Sequence, residues 1–126
     1  MRIQGLDHIV VTVTSIEEAC AFYVDVLGMT RETFAGGRTA LRFGDQKFNL
    51  HTAGREFTPH AARPGAGTAD FCLIVDSVRA AEAKLKVHEI PIEEGPVERT
   101  GARGKLMSVY CRDPDGNLVE LAEYVS

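Results

Sequence analysis

Two histidines and two carboxylates, His8, His51, Asp70 and Glu120, fall in two stretches of this sequence that resemble one another. Imidazole nitrogens and carboxylate oxygens form a mixed donor set for a divalent transition metal. Two His with one carboxylate is the composition that leaves coordination positions open for a substrate or for oxygen. Mn²⁺, Fe²⁺, Ni²⁺, Co²⁺ and Zn²⁺ all suit such a set, and the lack of thiolate donors argues only against a structural zinc site. An open metal would polarise a substrate oxygen, with Glu120 or a metal-bound water as the base. Taken singly, each residue has a blander role. A His on a strand is more often a surface or satisfied core residue, and Asp70 at a strand start could simply cap a turn. Glu120, set among Leu118, Val119 and Leu121, needs a partner. His60 and His88 have no counterpart in the other stretch and are assigned to the surface.

The elements that must position these groups follow from the repeat, which is the first thing to look for in a chain of this length. Residues 8–16, His-Ile-Val-Val-Thr-Val-Thr-Ser-Ile, match residues 70–78, Asp-Phe-Cys-Leu-Ile-Val-Asp-Ser-Val, at a shift of 62. Phe48-Asn49-Leu50-His51 matches Asn117-Leu118-Val119-Glu120 at a shift of 69, and the difference of seven predicts a longer loop around 95–105. Each copy reads as strand, helix and three short strands. Ser15 with Glu18 predicts a capping box for the first helix, with Ile16, Ala19, Phe22, Tyr23 and Val26 on its inner face and Gly28 as its stop. The second helix starts near Ser77 and turns Val78, Ala81 and Leu85 inward. Strands are expected at 30–35, 38–43 and 47–52, then at 91–94, 106–112 and 117–123. One α+β domain over residues 1–126 is expected, with a first module at about 1–53, a linker at 54–67 and a second module at about 68–126.

Strand side chains alternate between faces. Ile9, Val11 and Val13 then cover the helix, while His8, Val10 and Thr12 point away from it. The same parity puts His51, Asp70 and Glu120 on the faces away from the helices. Cations nearby suggest an anionic ligand. Arg99, Arg103 and Lys105 fall in the Gly-containing segment 99–105, which could close over a substrate with bidentate Arg contacts, or be a solvated loop. Arg42 and Lys47 are further candidates, and Tyr110 could face either site or core.

Composition narrows the class. Of 126 residues, 44% are hydrophobic and 25% charged, near globular averages, so neither disorder nor a fibrous fold is favoured. A formal net charge of −4 without clustered cations argues against a nucleic-acid surface. No apolar run nears the roughly 20 residues of a membrane span, and Met1–Gly5 has no apolar signal region, so the cytoplasm is expected. Cys20, Cys72 and Cys111 form no CxxC and read as reduced thiols.

Over nearly its whole length the chain resembles the vicinal oxygen chelate superfamily: glyoxalase I, fosfomycin-resistance thiol transferases, bleomycin-resistance proteins, methylmalonyl-CoA epimerase and extradiol dioxygenases. The resemblance lies in Leu6-Asp7-His8-Ile9-Val10-Val11-Thr12-Val13, in Phe22-Tyr23 through Leu27-Gly28-Met29, and in Arg112-Asp113-Pro114-Asp115-Gly116-Asn117-Leu118-Val119-Glu120-Leu121. Gln46–His51 and Glu93–Ala102 look like the glyoxalase domain-containing protein 5-like members. The resemblance implies two βαβββ modules whose half-barrel sheets surround a central site, with metal ligands on the first and last strands of each. Asp70 departs from the His usual at that place in glyoxalase I and the fosfomycin enzymes, which leaves three or four protein ligands. A homodimer is implied, with sites formed within a chain or across the dimer. The implied function is a metal-dependent lyase, isomerase or dioxygenase acting on a small oxygenated, anionic metabolite. The alternative is a metal-free protein that sequesters a drug or metabolite, as bleomycin-resistance proteins do. A structural interaction module would bind neither metal nor small ligand.

Overall fold

Alternating apolar residues pair strands, and in this chain they do so twice. A computed structural model describes all residues, Met1–Ser126. Its contacts divide into a first unit, Met1–Thr68, and a second, Ala69–Ser126. The first unit holds β1 (His8–Val13), α1 (Ile16–Cys20) continued by a π-helical stretch (Ala21–Val26), β2 (Thr30–Phe34), β3 (Arg38–Phe43) and β4 (Gln46–Thr52). The second holds β5 (Asp70–Ile74), α2 (Val78–Val87), β6 (Glu94–Thr100), β7 (Lys105–Arg112) and β8 (Leu118–Tyr124). Each unit is thus a βαβββ module with one open four-stranded sheet, ordered β1-β4-β3-β2 or β5-β8-β7-β6. The first strand runs parallel to the last, and the other pairs are antiparallel.

Both helices start where a serine satisfies an otherwise unpaired backbone donor. Ser15 Oγ accepts from the Glu18 N–H at 3.1 Å, and Ser77 Oγ accepts from the Ala80 N–H at 3.1 Å. Glu123 on β8 accepts from the Val78 N–H at 2.9 Å, tying the start of α2 to its own sheet. In the first unit, Ala19, Phe22, Tyr23 and Val26 pack with Val11, Val13, Leu41, Phe48 and Leu50, all buried. Tyr23 sits edge-on to Phe22 and Phe48 at 4.9 and 5.8 Å, an arrangement that adds to simple area burial. The stretch after Cys20 widens into π geometry, Met29 N–H reaching back to the Tyr23 carbonyl at 2.9 Å, and Gly28 ends it at φ 81°. The apolar face is unchanged by the widening. In the second unit Val78 and Leu85 of α2 are buried, as are Val109, Cys111, Val119 and Leu121 of the sheet.

Two expectations are corrected. The stretch around 95–105 is not a long loop: β6 continues to Thr100, and a tight turn closed by Gly101 N–H on the Gly104 carbonyl at 2.7 Å leads into β7. Gly95-Pro96 hides the strand from a pattern reading because it sits at a register shift between Glu94 and Val97, where Pro costs no ladder bond. The second correction concerns the repeat itself. His8 pairs with Lys47 and Asp70 with Leu118, so the shift is 70 − 8 = 62 at the first strands and 118 − 47 = 71 at the last. The partner of Glu120 in the first unit is therefore Asn49, and that of His51 is Ala122. A slip of two residues preserves the alternation of faces, so hydrophobic patterning cannot detect it.

Candidate functional site

On the face of the first sheet away from α1, the registers order side chains in rows. One row runs His8, Lys47, Arg42, Thr30; the next Val10, Asn49, Ala40, Glu32; a third contains Thr12 and His51, with Arg38 at the following step of β3. His8 is exposed, and its Nδ1 meets Asp7 Oδ2 at 2.8 Å, a bond that holds the Asp7 carboxyl below its ordinary range. Arg42 is spent on Glu32, Nε to Oε2 at 2.8 Å and Nη2 to Oε1 at 3.2 Å. Lys47 lies over the Phe34 ring at 3.9 Å. His51 is only 6% exposed; burial, and then the Arg38 charge, push its pKa down.

The matching face of the second sheet gathers around Glu120. Its neighbours in register are Cys72 on β5 and Tyr110 on β7, and Glu94 on β6 stands beside Tyr110. Ser108, two residues before Tyr110 and so on the same face, donates its hydroxyl to Glu120 Oε2 at 2.6 Å. Arg99 donates Nε to the Tyr110 hydroxyl oxygen at 3.0 Å and Nη2 to Glu94 at 2.9 Å. Burial raises the Tyr110 pKa, keeping the phenol protonated; Arg99 opposes that shift and Glu120 adds to it. Cys72 is pushed up to about 11, first by burial and then by Glu120, so it is no thiolate nucleophile at neutral pH.

The remaining cations serve elsewhere. Arg103, in the turn before β7, lies over the Tyr124 ring at 4.5 Å, and Lys105 reaches Glu98 at 4.0 Å from the face of β7 opposite Glu120. Of the expected substrate-binding set, Arg99 and Tyr110 gather with Glu120 within the second unit, Lys105 stands on the other face of β7, and Arg42 pairs with Glu32 in the first unit. Segment 99–105 is the end of β6, a turn and the start of β7. Asp113 and Asn117, at the heart of the most conspicuous sequence motif, are structural. Asp113 Oδ1 accepts from the Asp115 and Asn117 N–H groups at 2.9 Å, Asn117 Nδ2 donates to Asp113 Oδ2 at 2.7 Å, and Asn117 Oδ1 holds the Ala69 N–H at 2.8 Å. That network fixes the β7–β8 turn and the start of β5.

The donor set for a metal is a separate matter. His8 and His51 stand four residues apart on one face, with the Val10–Asn49 row between them, about 13 Å of strand. No three His, Cys, Asp or Glu side chains form a group that could hold a metal ion. Asn49, and not His51, holds the place in the first unit that Glu120 holds in the second.

The order of elements, the paired registers and the Glu120 face can be set against known proteins. The family model described as Glyoxalase/Bleomycin resistance protein/Dioxygenase superfamily matches residues 5–121. The chain belongs to that superfamily. Among curated members, virulence protein STM3117 of Salmonella typhimurium is 48% identical over 99% of this chain and 88% of its own length. Glyoxalase domain-containing protein RDO1 of Mycosarcoma maydis is 46% identical over 98% and 70%. The crystal structure of STM3117 superposes with a TM-score of 0.97, covering 99% of this chain and 100% of that one. Distant enzyme relatives within the superfamily include human mitochondrial methylmalonyl-CoA epimerase, 29% identical over 94% of this chain and 73% of its own. The Agrobacterium tumefaciens lactoylglutathione lyase structure is 25% identical with a TM-score of 0.75, covering 97% and 95%.

Three residues of these superfamily sheets escaped the sequence reading: Ser108, Asn49 and Arg38. Parity with Tyr110 could have flagged Ser108. Asn49 could be found only from the pairing register, and Arg38 only from its aromatic contact.

Proposed function

We propose that the chain is an enzyme that binds a small oxygenated, anionic metabolite against the Glu120 face and moves a proton on it with the Glu120 carboxylate. The observation that carries this reading is the half-buried Glu120, held by Ser108 at 2.6 Å beside a protonated Tyr110. A carboxylate oriented in this way can take a proton from carbon next to a carbonyl. As that C–H bond breaks, its electron pair moves toward the carbonyl oxygen and forms an enolate. Tyr110 is suited to meet that oxygen: its own oxygen accepts from Arg99, and its O–H, which faces Glu120, can turn to donate to the enolate. Return of the proton from Glu120 to the same face gives exchange with solvent alone; return to the opposite face, after the enolate has turned over in the site, completes an epimerase-type cycle without an external oxidant. Elimination of a group beta to the carbonyl from the same enolate would make it a lyase. The distant epimerase and lyase relatives agree with proton-transfer chemistry.

The test is wash-in of deuterium from D₂O into the acidic C–H of 2-oxo acids, 2-hydroxy acids and their thioesters, followed by proton NMR. The expected result is exchange catalysed by the native chain and slowed about 10²–10⁴-fold in Glu120→Gln. Equal rates in a folded Glu120→Gln protein would refute the assignment. A second reading is a metal-free protein that sequesters a drug or metabolite. It requires that a bound metabolite be recovered without any exchange.

A further inference from the structure

In the first unit, two buried polar atoms lack partners: Asn49 Oδ1 and His51 Nδ1. Both side chains project from β4 on the face away from α1, about 7 Å apart along the strand. A buried acceptor or imidazole nitrogen left unpaired costs free energy, so such atoms mark a place where a ligand group completes the bonding. Arg38 stands beside them. Its guanidinium lies 4.2 Å from the centroid of the Phe57 ring, the same ring that packs edge-on to His51 at 5.4 Å. Unlike Arg31, Arg42, Arg99 and Arg112, Arg38 makes no ion pair with a carboxylate. The residue opposite Asn49 on β3 is Ala40, whose small side chain is fully buried.

We infer that Arg38, Asn49 and His51 form a binding subsite for a hydroxy-carboxylate group. The Arg38 fork takes the carboxylate in a bidentate pair, for which its planar donors are suited. The adjacent hydroxyl donates to Asn49 Oδ1 and accepts from His51 Nδ1–H, which neutral imidazole supplies in one tautomer. Phe57 stacks on Arg38 and packs edge-on to His51, holding the two side chains together. This inference goes beyond the Glu120 reading and does not depend on it, since every residue involved lies in the first unit.

Glycolate contains both required groups and nothing else; acetate lacks the hydroxyl and ethylene glycol lacks the carboxylate. NMR titration of the full chain with each, read at the Asn49 side-chain amide and the His51 ring, tests the assignment. Glycolate is expected to bind in the millimolar range, about tenfold more tightly than acetate, and ethylene glycol not to bind. Arg38→Met weakens glycolate at least tenfold. Asn49→Ala with His51→Leu brings glycolate down to the level of acetate. If Arg38→Met does not fold, Arg38→Lys, which keeps the charge but not the fork, should weaken glycolate about fivefold. No shift with glycolate, equal affinity for acetate, or unchanged binding in the Arg38 variant would overturn the subsite.

Discussion

A proton-moving carboxylate must be held in one orientation yet stay accessible to substrate. Glu120 meets both needs through Ser108 and its half-buried place on β8. His51 differs, since its environment opposes charge. Its pKa is lowered from 6.5 by burial and by Arg38, assisted by His60 and opposed by Glu56. In the unfolded chain His51 takes up its proton first as pH falls. Its contribution to stability is therefore present above about pH 6.5 and lost as pH falls toward the lower folded value. Thermal melts from pH 7.5 to 5 should show His51→Gln losing less stability than the native chain across that window. Parallel losses would show that His51 is not held neutral. At this scale the sequence revealed residue types and faces: Glu120 was legible because an acid among Leu118, Val119 and Leu121 demands a partner. The pairing of His51 with Glu120 was misread, because a two-residue slip leaves every face unchanged.

Elements translate these residues into a site through their registers, and β6 shows how narrow the tolerance is. Gly95 adopts φ 106°, and a Cβ there would lie 2.3 Å from the Ser108 carbonyl oxygen. The absence of a side chain lets β6 approach β7 at the strand that carries Ser108 and Tyr110, and next to the Glu94 that anchors Arg99. Gly95→Ala should cost about 1–3 kcal/mol for the positive φ alone, with further displacement of Ser108. Chemical denaturation should find that loss together with a slower proton exchange; a variant of native stability would mean the strand can retreat freely. Helix starts at Ser15 and Ser77 were legible because capping is local chemistry. β6 beyond Glu94 was not, because Gly-Pro ordinarily signals a turn and only the partner strand shows it to be an irregular rung.

At the scale of the molecule, two modules came from one repeated pattern, and each leaves its parallel first strand, β1 or β5, at the edge of its sheet. Those edges display Val10 at 48% and Ile74 at 53% exposure, in positions where isolated strands invite pairing. A second copy of the chain is the proposed partner, since homodimers are the commonest soluble assembly. Sedimentation equilibrium should give twice the chain mass, falling toward the monomer in Val10→Lys with Ile74→Lys; a monomer at all concentrations would refute it. No helix is long and apolar enough to cross a membrane.

The assignment of Glu120 is tested most directly by chemical rescue. In Glu120→Ala the carboxylate is replaced by space, and added formate can occupy it as a substitute base. The expected result is that deuterium exchange at substrate carbon falls at least 100-fold in Glu120→Ala and recovers in proportion to formate concentration. Exchange at the native rate in Glu120→Ala without formate, or a folded variant that no concentration of formate restores, would contradict it.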